Sequence, residues 1–151
     1  MNDAWDAPMD RALRLAREAA KASDVPVGAV VTDAEGRIVG EGYNRREATA
    51  DPSAHAEVLA LRNASKHLNR WRLDDCTLVV TLEPCLMCAG ALLAARIPRL
   101  VIGAWDDKAG ATGSKWDVVR DARIGTKVEV ISGVRAAESA ALLQEFFTAR
   151  R

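Results

Sequence analysis

The chain has 151 residues, of which 49% are hydrophobic and 28% are charged, and its 21 basic and 21 acidic side chains leave no formal net charge. This is the composition of an ordinary globular protein, and it argues against a disordered chain and against a protein held to nucleic acid by an overall basic charge. The length predicts a single domain, residues 1–151, and no apolar run is long enough to cross a membrane.

The start of the chain carries Asp3, Asp6 and Asp10 and has no apolar segment, so it does not have the pattern of a secretory signal. The chain contains three cysteines, too few for the disulfide framework of a small secreted protein. We therefore expect a cytoplasmic protein. Any contact with nucleic acid would rest on a local basic group such as Arg45 and Arg46, for which ordinary solvated surface charge is the alternative interpretation.

Apolar periodicity predicts an alternation of helices and strands typical of an α/β protein. In chain order the predicted elements are a helix over 8–22, strands over 27–32 and 37–43, a helix over 52–66, a strand over 77–82, a helix over 85–95, strands over 100–104 and 127–131, and a helix over 136–148. In the strand, helix, strand unit over 77–104, the two strands should be parallel and the connection between them right-handed. A ligand site is then expected at the carboxyl end of the first strand.

One histidine and two cysteines, His55, Cys85 and Cys88, have the residue types and spacing of three ligands for a single zinc ion. A structural zinc site is closed by four protein ligands, whereas a catalytic site supplies three and leaves the fourth position open. Cys76 begins the predicted strand and lies about 20 Å from its far end. His67 lies further along the helix that carries His55, about 18 Å away. We therefore interpret both as structural residues and expect an open, catalytic site.

Both parts of this pattern fall where helices are predicted to begin. Asp51 and Pro52 give a helix-start signal just before His55, and Pro84 gives the same signal just before Cys85. Glu57 lies two residues beyond His55, and side chains two residues apart point in different directions in the middle of a helix. Both can therefore approach one metal ion only if the ion lies beyond the end of the helix. Separately, these fragments could be a buried helical histidine and a redox pair or half a zinc ribbon. Together they match the signature of zinc deaminases, in which the glutamate moves protons.

The predicted helix over 85–95 has no charged residue from Leu86 onwards. A helix that is apolar all round needs cover on more than one side. The sequence allows two kinds of cover for this helix: a second copy of the chain, or the sheet of the same chain.

Four stretches of the chain resemble the bacterial tRNA adenosine deaminases that act on the wobble position. They are residues 42–45 (GYNR), 51–57 (DPSAHAE), 81–91 (TLEPCLMCAGA) and 106–114 (DDKAGATGS). The resemblance extends from Met9 to Phe147. The zinc motif is common to all cytidine-deaminase-like enzymes, whereas the 106–114 loop favours the tRNA branch.

The resemblance implies a three-layer α/β/α fold with a five-stranded mixed sheet, and a homodimer that binds RNA near its interface. It implies that His55, Cys85 and Cys88 hold one zinc ion per chain and that Glu57 is the proton shuttle. Asn44 would help to hold the target nucleoside, and Asp106 would contact the backbone of the neighbouring nucleotide. The substrate would be a tRNA anticodon stem-loop, whose wobble adenosine is hydrolysed to inosine.

The chain departs from the family pattern at Trp105, at Lys115 and Trp116, and over residues 125–127. These positions should flank the RNA, so a second hypothesis is a deaminase of the same fold that acts on a free base or nucleoside, such as guanine or cytosine. A third hypothesis is a non-catalytic RNA-binding module stabilised by zinc. The presence of Glu57 and the lack of a fourth ligand count against it, because a structural site needs neither feature.

Overall fold

The computed structural model describes residues 3–150, so residues 1, 2 and 151 of the predicted domain lie outside the described part. The helices are α1 (Asp6–Lys21), α2 (Arg46–Thr49), α3 (Ala56–Leu68), α4 (Leu86–Ala94) and α5 (Ala136–Thr148), and the strands are β1 (Gly28–Thr32), β2 (Ile38–Tyr43), β3 (Thr77–Leu82), β4 (Arg99–Ala104) and β5 (Glu129–Ile131). Every predicted helix and strand is present with ends shifted by a few residues, and the short helix α2 is an addition to the prediction.

The strands form one mixed sheet in the order β2-β1-β3-β4-β5. β1 is antiparallel to both β2 and β3, whereas β3 pairs with β4, and β4 with β5, in parallel. The predicted five-stranded mixed sheet is confirmed, and α4 is the crossover between the parallel strands β3 and β4. The carboxyl end of β3 is therefore where a ligand site is expected in such a sheet.

Helices cover both faces of the sheet, as the two-residue repeat of each strand requires. Val30, Val79 and Val101 of the central strands pack with α1, and the residues on either side of each valine pack with α3 and α4 on the opposite face. The three-layer α/β/α fold is confirmed. Within residues 3–150, no helix has both the length and the apolar character that a bilayer crossing needs.

α3 lies unusually close to the sheet because glycines face it. A Cβ atom on Gly42 would lie 2.5 Å from the carbonyl oxygen of Ala56, and one on Gly40 would lie 2.4 Å from that of Ala60. Any larger side chain at these positions would push α3 away from β2. The glycines therefore fix the start of α3 above the carboxyl end of β2.

The start of α3 corrects the prediction, which placed it at Pro52 with Asp51 as the cap. The Asp51 carboxylate instead accepts hydrogen bonds from the backbone N–H and the hydroxyl of Ser53, at 2.9 and 2.8 Å. Such local side-chain bonds favour a turn over a helix. The helix consequently begins at Ala56, with His55 as the residue that precedes it.

Candidate active site

His55 and Cys85 occupy equivalent places, because each immediately precedes the first turn of a helix and has an extended backbone. Cys88 is the third residue of α4 and is buried. The prediction that Cys85 lies inside the first turn is therefore wrong by one position, and Pro84 stands outside the helix. The two helix starts nevertheless face one point beyond their ends, as expected.

The three candidate ligand atoms are brought together at distances suited to one metal ion. Nδ1 of His55 lies 3.7 Å from Sγ of Cys85 and 3.5 Å from Sγ of Cys88. A tetrahedral zinc ion with ordinary Zn–N and Zn–S bond lengths separates such ligands by about 3.6 Å. In the described part of the chain, no fourth His, Cys, Asp or Glu joins this group. The residues present therefore fit a zinc ion with an open fourth position.

The thiol and imidazole groups also have the chemistry of a cation site. The hydrogen bond from Cys88, followed by that from His55, lowers the pKa of Cys85 to about 3. The hydrogen bond with Cys85, together with burial, raises the pKa of Cys88, and the hydrogen bond with Cys85 also raises the pKa of His55. Metal binding would release the protons that these ligands carry.

Glu57 is the second residue of α3, and its side chain is only 4% exposed. Burial raises the pKa of Glu57 to about 7. A carboxyl group with a pKa near the working pH is suited to taking up and releasing protons in turn.

A cavity of about 160 Å³ opens beside these groups. It is lined by the predicted catalytic residue Glu57, by the predicted substrate residues Asn44 and Asp106, and by the predicted zinc ligands His55 and Cys85. The remaining lining residues are Val25, Val27, Arg46, Leu82, Glu83 and Ala109. The two predicted substrate residues, the predicted proton shuttle and two of the three predicted zinc ligands therefore line one cavity, and the third ligand, Cys88, is buried.

Asn44 is buried and connects the cavity wall to the start of α3. Its Oδ1 accepts a hydrogen bond from the backbone N–H of Ala56 at 2.9 Å, and its Nδ2 donates one to the carbonyl of Val25 at 3.0 Å. This side chain replaces the cap that His55 cannot provide to α3. Asn44 thereby holds the turn that carries both His55 and Glu57.

Asp106 also lines the cavity and lies two residues after the end of β4. Its carboxylate accepts hydrogen bonds from the backbone N–H groups of Lys108 and Ala109, at 3.1 and 3.3 Å. The turn that these bonds create presents Asp106 and Ala109 to the cavity.

Two acidic residues near the site were missed by the sequence interpretation. Asp24 is buried and accepts hydrogen bonds from the backbone N–H of Glu47 at 3.0 Å and from the Arg46 guanidinium at 3.2 Å. Glu83 is 2% exposed and accepts hydrogen bonds from the 106–114 loop. The sequence feature that could have drawn attention to Glu83 is its place as a carboxylate at the end of an apolar strand, directly before Pro84.

The chain is similar to deaminases in sequence and in structure. Residues 4–104 match the cytidine and deoxycytidylate deaminase zinc-binding region. A tRNA-specific adenosine deaminase of Haemophilus influenzae is 49% identical over 143 residues, which cover 95% of this chain and 83% of that protein.

Two solved structures match the fold closely. One comes from studies of A-to-I editing by tRNA:A34 deaminases at the wobble position; it has a TM-score of 0.87 at 40% identity, covering 91% of this chain and 99% of the other. The guanine deaminase of Nitrosomonas europaea has a TM-score of 0.80 at 29% identity, covering 95% of this chain and 84% of the other. The ligand group, the buried glutamate and these similarities lead to one conclusion: the chain belongs to the tRNA-specific adenosine deaminase family and carries the cytidine and deoxycytidylate deaminase zinc-binding region.

Proposed function

We propose that this protein hydrolyses the wobble adenosine of a tRNA anticodon stem-loop to inosine. The observation that carries the proposal is the three-ligand group of His55, Cys85 and Cys88, two members of which, His55 and Cys85, line one cavity with the buried Glu57. The deaminase unit is proposed to span residues 1–151, because the two apolar clusters pack on opposite faces of a single sheet.

The chemistry divides between the metal and Glu57. When held by His55, Cys85 and Cys88, zinc supplies Lewis-acid activation of a water molecule near neutral pH. Glu57 would accept a proton from the attacking water and pass it to N1 of adenine as the new C6–O bond forms. Glu57 then carries the second proton to the amino group, so that the C6–N bond breaks and ammonia leaves. The products are inosine and ammonia.

Asn44 and Asp106 are proposed to hold the RNA around the reacting base. Among the described residues, only one hydrogen of the Asn44 amide has an acceptor, so the other can donate to the target nucleoside. Asp106 is half-buried in the cavity lining and can accept a hydrogen bond from a ribose hydroxyl of the neighbouring nucleotide. The bases of an anticodon loop are already unpaired, which lowers the cost of moving one into the cavity.

The proposed active form is a homodimer in the cytoplasm, where tRNA is available. α4 buries only Cys88, Ala89 and Leu92, while Leu86 and Met87 are 48% and 39% exposed. An apolar groove of about 480 Å³ is lined by residues of α3, by Ala91, Ala94 and Ala95 at the end of α4, and by Trp71. An uncovered apolar face of this kind is suited to the same face of a second copy.

The second candidate is a deaminase of a free base such as guanine. The structural similarity to the Nitrosomonas europaea guanine deaminase favours it, as do the zero net charge and the unusual residues Trp105, Lys115 and Trp116. Trp105 and Trp116 are 47% and 42% exposed, so these departures lie on the surface.

Positional specificity tests the proposal. The zinc-loaded protein is incubated with an anticodon stem-loop that has adenosine at the wobble position, and the inosine is located by nuclease digestion and mass spectrometry. A matched stem-loop with its adenosine moved one position along the loop is the control. We expect inosine only in the first; equal conversion of both, or of neither, would contradict the proposal.

A further inference from the structure

Glu83 is a buried carboxylate at the carboxyl end of β3, two residues before the candidate ligand Cys85. Its Oε1 accepts a hydrogen bond from the backbone N–H of Asp106 at 2.8 Å. Its Oε2 accepts bonds from the backbone N–H groups of Thr112 and Ser114, at 3.0 and 3.1 Å. Every one of these donors comes from the 106–114 loop, which is far from Glu83 in sequence.

The composition of the loop follows from the way it encloses this carboxylate. The Ser114 hydroxyl also donates to Oε1 of Glu83. A Cβ atom on Gly110 would lie 2.1 Å from the same oxygen and 2.4 Å from the carbonyl oxygen of Asp106. Only glycine allows the backbone to approach so closely, and serine supplies a further donor. The glycine and serine that make this loop recognisable in the sequence are therefore explained by Glu83.

Backbone hydrogen bonds on either side of the carboxylate join its segment to the end of β4 and to the 106–114 loop. The N–H of Glu83 donates to the carbonyl of Ala104 at 2.9 Å, and the N–H of Ala111 donates to the carbonyl of Pro84 at 2.8 Å. The segment that leads into Cys85 and the loop that carries Asp106 consequently form one connected unit.

We propose that Glu83 is a positioning residue, which acts through Asp106 to hold one wall of the cavity at a fixed place relative to the zinc ligands. This inference rests on the proposed function, because the wall it fixes is the one assigned to the nucleotide beside the target adenosine. Glu83 exchanges no proton with the substrate. Hydrogen bonds to a charged acceptor are among the stronger ones in proteins, and the Glu83 carboxylate accepts them from three backbone N–H groups and from the Ser114 hydroxyl.

The test variant is Glu83→Gln, which keeps the size of the side chain but turns an N–H donor group towards donors of the loop. Ser114→Ala is the milder second variant, because it removes one hydroxyl bond and keeps the carboxylate. Glu145→Gln, on the exposed side of α5, is the matched control. Three quantities are measured: hydrogen exchange of the loop amides, zinc content, and KM and kcat on the stem-loop.

In Glu83→Gln we expect the amides of Asp106, Thr112 and Ser114 to exchange at least about tenfold faster, with α3 unchanged. We expect KM for the stem-loop to rise by about tenfold, kcat to change by less than about threefold, and the zinc content to stay as in the unmodified protein. Ser114→Ala should change the same quantities in the same direction by a smaller amount.

Unchanged exchange of the loop amides would overturn the inference, and so would loss of zinc or a fall in kcat at constant KM. Hydrogen exchange does not depend on turnover. If the unmodified protein forms no inosine, the proposed function fails, while the exchange result still decides whether Glu83 holds the loop.

Discussion

His55 and Cys85 hold the same place on two different helices, and their ligand atoms Nδ1 and Sγ lie 3.7 Å apart although 30 residues separate them in sequence. Each residue directly precedes a first helical turn, of α3 and α4 respectively. A helix start carries free N–H groups and partial positive charge, which stabilise a thiolate. The candidate metal site therefore lies where two helices begin, and Glu57 is in the first turn of α3.

Replacing Glu57 with glutamine should abolish turnover and leave zinc bound. Glutamine fills the same buried space but cannot carry a proton, and general acid-base groups contribute about 10²-fold to 10⁴-fold to rates. Inosine formation on the stem-loop and zinc content measure the two effects, with Glu145→Gln as the control. Deamination that survives in Glu57→Gln would show that another group moves the protons.

Removing zinc with a chelator should make Cys85 the most reactive thiol. The hydrogen bond from Cys88 and then that from His55 lower the pKa of Cys85 to about 3, so it is a thiolate at neutral pH. Burial, together with Asp75, raises the pKa of Cys76 to about 12, which keeps that thiol protonated. Alkylation followed by peptide mass spectrometry should label Cys85 only after chelation. Labelling of Cys76 ahead of Cys85 would contradict this account.

The buried carboxylate of Asp24 should make stability depend on pH. Burial acts to raise the pKa of Asp24, but the hydrogen bonds from the backbone N–H groups of Glu47 and Val25 and from Arg46 outweigh it, so the pKa is lowered. A lowered pKa means that Asp24 stabilises the fold above the unfolded-state pKa of about 3.9 and loses this effect as the pH falls through the folded-state value.

The measurement for Asp24 is the free energy of unfolding of the unmodified protein and of Asp24→Asn at neutral and acidic pH. The difference between the two proteins should be largest near neutral pH and should shrink below about pH 4. The exposed Asp107→Asn is the control. A difference that stays constant down to acidic pH would show that Asp24 does not stabilise the fold through its charge.

A charge placed on the uncovered face of α4 should separate the proposed homodimer. A Cβ atom on Gly90 would meet nothing within 4 Å, so Gly90→Arg leaves the fold of a single chain undisturbed. Light scattering after gel filtration should show a dimer for the unmodified protein and a monomer for Gly90→Arg. Ala140→Arg, on the exposed side of α5, should remain dimeric. A dimer that persists in Gly90→Arg would place the interface elsewhere.

Much of this architecture could be predicted because its determinants are local. Apolar periodicity marks β3, α4 and β4, and short motifs contain His55 with Glu57 and Cys85 with Cys88. The start of α3 was misplaced because Asp51 bonds Ser53 instead of capping the helix, and the two outcomes have the same sequence signal. Glu83 was missed for a different reason: its partners lie 23 to 31 residues further along the chain, and only the folded structure shows that they meet.

The most direct test of the central claim compares substrates of two classes in one assay. The zinc-loaded protein receives an anticodon stem-loop with adenosine at the wobble position, free guanine and free cytosine in parallel, and ammonia release is measured in each. We predict ammonia and inosine from the stem-loop alone. Ammonia from a free base with an unchanged stem-loop would contradict the assignment of tRNA as substrate, and would identify Trp105 and residues 115–127 as the place where specificity changed.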